Sequence, residues 1–240
     1  MRLKPTAILF DMGGVLLESA DMWNASGFEK SFPQGLPGGV SQAWFMDMSA
    51  ALLRAFESMP APRPALNPRP IIGEWLSKAG MDTSVSSVDR WYRITCAWEV
   101  RPLYPFVKPA LGALRELGIR MGVISNTLMD GVAPRAHFER EGIMPYFEFT
   151  VFSADFGMNK PDASIFRHAL DSMRLSPAEA WYIGDKPHRD VCGANGVGMT
   201  SVLVDSIYTD RILDGEVFWP DIMIPDIGAL PALVRELAVH

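Results

Sequence analysis

From Arg101 onward, short apolar runs alternate with stretches of helical spacing, and that alternation leaves the chain few ways to fold. Residues 119–124, 147–152, 181–184 and 200–204 read as buried strands, too short and too apolar for surface helices. Residues 107–117, 132–141, 164–173 and 228–238 carry helical periodicity between and after them. Gly118 and Gly142 stand where left-handed caps end helices. Asp162 is placed to cap the helix that follows it. Ser176-Pro177-Ala178-Glu179 has the pattern of a capping box with proline at the first helical position. Strands that alternate with helices pair in parallel and are covered by those helices, which predicts an α/β fold. In such a sheet a ligand binds beyond the carboxyl ends of the strands.

Residues 6–10 supply one more apolar run, which stops at Asp11 and a Gly13-Gly14 turn. The next stretch has another character. Trp44, Phe45, Met48, Leu52 and Phe56 fall at helical spacing, as do Val88, Trp91, Tyr92, Thr95 and Trp98; core packing is the expectation for these aromatics. Between them lie prolines 60, 62, 64, 68 and 70, which predict an extended or looped segment over 60–70. Residues 1–17 and 101–240 therefore read as one sheet-based unit, interrupted by a helical insert at 18–100.

The chain has 240 residues, 48% of them hydrophobic, enough for a sizeable core. Its net charge of −6 argues against a nucleic-acid surface, which needs a basic face. The opening apolar run is too short for a signal peptide, and no stretch approaches a membrane span. The expectation is a cytoplasmic protein acting on a small molecule, as monomer or homodimer, with no nucleic acid and no membrane as partner. Cys96 and Cys192 are expected to be small buried hydrophobes. His137, His168, His188 and His240 read as surface or helix-face residues.

Chemistry concentrates where strands end. The first strand runs into Asp11, Met12, Gly13 and Gly14. The strand at 119–124 ends in Ser125-Asn126. Lys160 follows the next strand, and Asp185 and Asp190 follow the strand at 181–184. Carboxylates buried together need a cation, and all-oxygen ligands beside phosphate suit magnesium. A carboxylate so placed attacks phosphorus and forms an aspartyl-phosphate. Lysine neutralises the transferring group, while Ser125 and nearby main-chain N–H groups, at Met12, Gly13 and Gly14, can hold phosphoryl oxygens.

These motifs, in this order, resemble the haloacid dehalogenase superfamily of phosphohydrolases, in the branch with a helical cap inserted after the first motif. The resemblance covers almost the whole chain. It implies a Rossmann-like parallel-sheet core and a smaller α-helical cap that closes over substrate. It implies Asp11 as nucleophile, Ser125 and Asn126 at the phosphate, and Lys160 as the third-motif lysine. It also implies magnesium held by Asp11, Asp185 and the Gly13 carbonyl, with Asp190 supporting the metal or orienting Lys160. One position departs from the pattern. The family's phosphatases usually carry a second aspartate two residues after the nucleophile, as general acid and base; here that residue is Gly13.

Three activities fit this reading. A magnesium-dependent phosphomonoesterase acting on a small phosphorylated metabolite agrees with all four motifs. A 2-haloacid dehalogenase would use the same aspartate on carbon but usually lacks the acidic pair at 185 and 190. A binding or regulatory relative, impaired in turnover, is suggested by Gly13.

Overall fold

The computed structural model describes residues 4–19, 24–58, 64–205, 212–213, 216–217 and 219–237. Strand β1 (Ala7–Phe10) is buried along its whole length. Its side chains alternate: Ile8 and Phe10 enter one apolar cluster, Ala7 and Leu9 the other. That is the period of two expected for a strand covered on both faces. Four helices follow, α1 (Ala25–Ser31), α2 (Gln42–Glu57), α3 (Arg69–Lys78) and α4 (Val85–Glu99), and then α5 (Val107–Glu116). Strands and helices alternate thereafter: β2 (Arg120–Ser125), α6 (Val132–Arg140), β3 (Phe149–Phe152), α7 (Ser153–Phe156), α8 (Ala163–Met173), β4 (Ala180–Gly184), α9 (Cys192–Val197) and β5 (Thr200–Val204). A short antiparallel pair, β6 (Ile212–Leu213) and β7 (Glu216–Val217), precedes β8 (Ile222–Ile224) and the closing helix α10 (Leu230–Leu237).

Six strands form one parallel sheet in the order β3-β2-β1-β4-β5-β8. The chain starts at the centre, builds outward through β2 and β3, and then crosses to the other side of β1. The switch point lies between β1 and β4, where α/β sheets open a crevice. Register sharpens this. Phe10 is level with Val123 on β2 and with Ile183 on β4, so Asp11, Ser125 and Asp185 leave three adjacent strands at nearly one height.

The helices between β1 and α5 have a core of their own. Phe45, Met48, Leu52 and Phe56 of α2 meet Ile72 and Leu76 of α3 and Trp91, Cys96 and Trp98 of α4. The Trp44 and Trp91 rings cross edge-on at 5.2 Å, and Phe28 stands edge-on to Trp98. Ser41 caps α2 by accepting the Trp44 N–H. The outgoing and returning chains run side by side: Glu18 N–H meets the Pro102 carbonyl and Tyr104 N–H the Leu16 carbonyl. Buried Arg101 ties this crossing to α1 through the Gly27 carbonyl and the Ser31 hydroxyl.

Several local expectations are corrected. Residues 60–63 lie outside the described residues, and the proline segment does not stay a loop to 70. Helix α3 starts at Arg69 with Pro70 in its first turn, where no intrahelical N–H is needed. The capping box at Ser176 and Glu179 is present, but it closes one 3₁₀ turn because β4 begins at Ala180. Cys96 is buried, whereas Cys192, on the outer face of α9, is exposed. Of the two readings for His137, surface or helix face, the structure shows the second: it lies on α6 and is buried.

Candidate active site

Asp11 follows β1 directly, with its N–H held by the Ile183 carbonyl as if the strand ran one residue further. Its Oδ1 accepts the Met12 N–H at 2.7 Å and lies 3.0 Å from the Lys160 ammonium. Lys160 is 1% exposed. Its ammonium also reaches Asp190 Oδ1 at 2.8 Å and the Tyr182 hydroxyl at 2.7 Å. The Tyr182 hydroxyl in turn donates a hydrogen bond to the Ile124 carbonyl at 2.8 Å. Asn126 fixes the Lys160 main chain from both sides, accepting its N–H at 2.7 Å and donating to its carbonyl at 3.0 Å. All three ammonium donors are thereby directed by neighbours rather than by water.

Asp190 comes from a wide π-helical turn, Pro187–Val191, just after β4. Its Oδ2 accepts the N–H groups of Asp185 and Lys186 at 3.1 and 2.9 Å. A side chain at Gly184 would collide with this carboxyl, so the position is closed to anything larger. Gly14 answers to two demands. Its φ is +79°, and a Cβ there would come 2.7 Å from the Asp185 carboxyl carbon. The Gly14 N–H is donated to the Leu17 carbonyl, so this glycine gives the site room rather than a donor.

Asp11, Asp185 and Asp190 each bring a carboxylate oxygen within 4.8 Å of the others, and all three are buried. Burial pushes Asp11 above the usual carboxylate range, with Lys160 opposing it. Burial pushes Asp185 up to about 7, against the pull of Lys186 at 3.2 Å. Burial would raise Asp190 as well, but Lys160 and the Lys186 main-chain N–H bring it below the usual value. When ionised, the three carboxylates outnumber the two lysines beside them, and a hard divalent cation on carboxylate oxygens fits that deficit. Asp11 and Asp185 would hold such an ion.

A cavity of about 320 Å³ opens above these residues. Asp11, Met12, Gly13, Ser125, Asn126 and Lys160 line it from the sheet side. Leu53, Phe56 and Glu57 of α2 and Glu99 of α4 line it from the helical side, with Lys186 and Arg189 between. Of the sequence-derived site residues, Gly14, Asp185 and Asp190 are not part of this lining. Sequence reasoning missed Tyr182, Lys186, Arg189 and Glu99. Lys186 could have been found, since it adjoins Asp185. Glu99 could not, because its partners are main-chain N–H groups, which leave no mark in a sequence.

Residues 5–198 match the family of haloacid dehalogenase-like hydrolases. The chain belongs to this family. Among curated relatives, it is 35% identical over 136 residues to a glyceraldehyde 3-phosphate phosphatase of Methanopyrus kandleri, covering 56% of this chain and 58% of that one. It is 34% identical over 104 residues to a phosphoserine phosphatase of Thermus thermophilus, covering 43% and 41%. The chain spans about half the length of the curated relatives it matches. Solved structures share the fold across the whole chain. A 2-haloacid dehalogenase of Pseudomonas syringae superposes with TM-score 0.68 at 23% identity, covering 98% of this chain and 99% of that one. A phosphatase of the same family from Thermococcus onnurineus gives 0.59 at 20% identity, covering 98% of each. No helix among the described residues is long and apolar enough to cross a membrane.

Proposed function

We propose that this haloacid dehalogenase-like hydrolase is a magnesium-dependent phosphomonoesterase of the cytoplasm, acting on a small phosphorylated metabolite through Asp11. The observation that carries this reading is the Lys160 ammonium, held between Asp11 and Asp190 at the floor of the cavity. Residues 18–100 act as a cap on a core made of 1–17 and 101–240, with the paired crossings near residues 17 and 102 as the hinge. The phosphatase activity named for relatives at 34–35% identity supports the same assignment.

The residues divide the work simply. An Asp11 carboxylate oxygen attacks phosphorus, and the leaving oxygen departs toward the cap. Lys160 keeps the attacking carboxylate oriented and offsets charge on the transferring group. Asp190 and Tyr182 fix the lysine, and Asn126 fixes its main chain. Ser125 and the N–H of Gly13 meet the phosphoryl oxygens. Bound at Asp11, Asp185 and the Gly13 carbonyl, magnesium supplies charge neutralisation between an anionic nucleophile and an anionic substrate. Water then cleaves the aspartyl-phosphate and returns Asp11.

The test is release of phosphate from p-nitrophenyl phosphate with added magnesium. Activity is expected to vanish in Asp11→Asn and in excess chelator; full activity in either sinks the proposal. Halide release from a 2-haloacid, without phosphate release, would instead assign the aspartate to carbon chemistry.

A further inference from the structure

Gly13 leaves the proton-transfer step without an agent among the residues that follow the nucleophile. Glu99, the last residue of α4, stands in the opposite wall of the same cavity. It is 8% exposed. Its Oε1 accepts the Leu128 N–H at 2.8 Å and its Oε2 the Met129 N–H at 3.1 Å. These donors belong to the loop that begins at Asn126, directly after Ser125, so the carboxyl is fixed against that loop. Each oxygen keeps a second lone pair, so a proton on the cavity side leaves both bonds intact.

We infer that Glu99 is the proton donor and acceptor of this site, filling from the helical insert the role that Gly13 does not; the inference rests on the phosphatase reading above. As the Asp11–phosphorus bond forms and the bond from phosphorus to the leaving oxygen breaks, the leaving oxygen takes the Glu99 proton. In the second half, the Glu99 carboxylate takes a proton from the attacking water. The water oxygen bonds to phosphorus, the Asp11–phosphorus bond breaks, and both carboxyl groups return to their starting states.

The surroundings suit a group that must exist in both forms. Burial pushes Glu99 up to about 7, the two main-chain donors pull the other way, and Asp130 on the same loop adds to the rise. Among the described residues, no lysine or arginine contributes to this shift. Cys96 is the titratable neighbour on its own helix, and burial holds that thiol up at about 12. Across the cavity stand Asp11 and Lys160 on the sheet side and Glu57 on α2. Lys186 and Arg189 face it from the turn after β4. A general acid and base works best with a pKa near the working pH.

The experiment compares kcat/KM for an alkyl phosphate, glycerol 2-phosphate, with that for p-nitrophenyl phosphate, whose leaving group needs no proton. In Glu99→Gln the alkyl-to-aryl ratio is expected to fall about 10²-fold. Being a ratio, it is insensitive to loss of folded enzyme. An equal loss on both substrates would reduce Glu99 to a clamp on the loop and overturn the inference. If the variant does not fold, the wild-type pH profile decides. The alkyl reaction is expected to decline above pH about 7 while the aryl reaction does not, and coincident profiles overturn the inference. Absence of magnesium-dependent hydrolysis of either substrate by wild type would sink the phosphatase reading, and this inference with it.

Discussion

Asp190 holds Lys160 at 2.8 Å, and two main-chain N–H groups hold Asp190 in turn. The lysine that faces Asp11 is therefore positioned by a carboxylate that cannot swing. Lys160→Met would leave Asp11 and Asp190 buried side by side with their shared cation gone. Breaking a buried pair in this way costs about 3–5 kcal/mol. A fall in unfolding free energy of that size, measured by urea denaturation, is expected, with phosphatase activity reduced at least about 10²-fold. A variant of wild-type stability would show that the three-way contact is not what holds this edge of the sheet.

Gly14→Ala tests whether the turn after β1 is shaped around Asp185. The left-handed φ of +79° and the 2.7 Å approach to the carboxyl carbon act together. Strain of about 1–3 kcal/mol is expected, along with displacement of Asp185. The measurement is the rise in Tm on adding magnesium, which should shrink markedly. An undiminished magnesium shift would mean that Asp185 has space to move without leaving the metal.

Gly13→Asp bears on the same proton transfer from the other direction. In the Glu99→Gln background it is expected to recover alkyl phosphate turnover at least about tenfold, because it restores a carboxyl two residues from the nucleophile. In the wild-type background the gain should be small, Glu99 already serving. A large gain in both backgrounds would show that Glu99 moves no protons.

His137 gives a pH dependence of stability away from the active site. Burial lowers its pKa, with Glu141 opposing. The unfolded chain therefore binds a proton below pH about 6.5 that the folded chain resists. The contribution to stability is present above that pH and is lost as pH falls through the folded value. Urea midpoints at pH 7.5 and 5.5 should show wild type losing stability relative to His137→Asn on acidification, by at most about 1.4 kcal/mol per pH unit. Parallel pH dependence in the two proteins would assign the slope elsewhere.

Much of the core was legible because its signals are local. Ile8 and Phe10, like Trp181 and Ile183, alternate with partners facing the other way, so strand character is written in consecutive residues. Helices with a polar cap and a repeating apolar face, such as α2 behind Ser41 and α8 behind Asp162, carry their own boundaries. Helix α3 was obscured by its prolines, since Pro70 marks a break in an interior turn and a beginning in the first one.

By itself, the sequence determined which side chains leave the strand ends, because each strand is a short apolar run closed by a polar residue: Asp11, Ser125 and Asp185. Only the tertiary structure decided how those ends are arranged. Placing β1 between β2 and β4 brings residues more than a hundred positions apart to one height. Only the fold, too, turns the end of α4 toward the loop after β2. Glu99 meets main-chain N–H groups, every residue but proline has one, and so the choice of Leu128 and Met129 depends on packing and on nothing in their side chains.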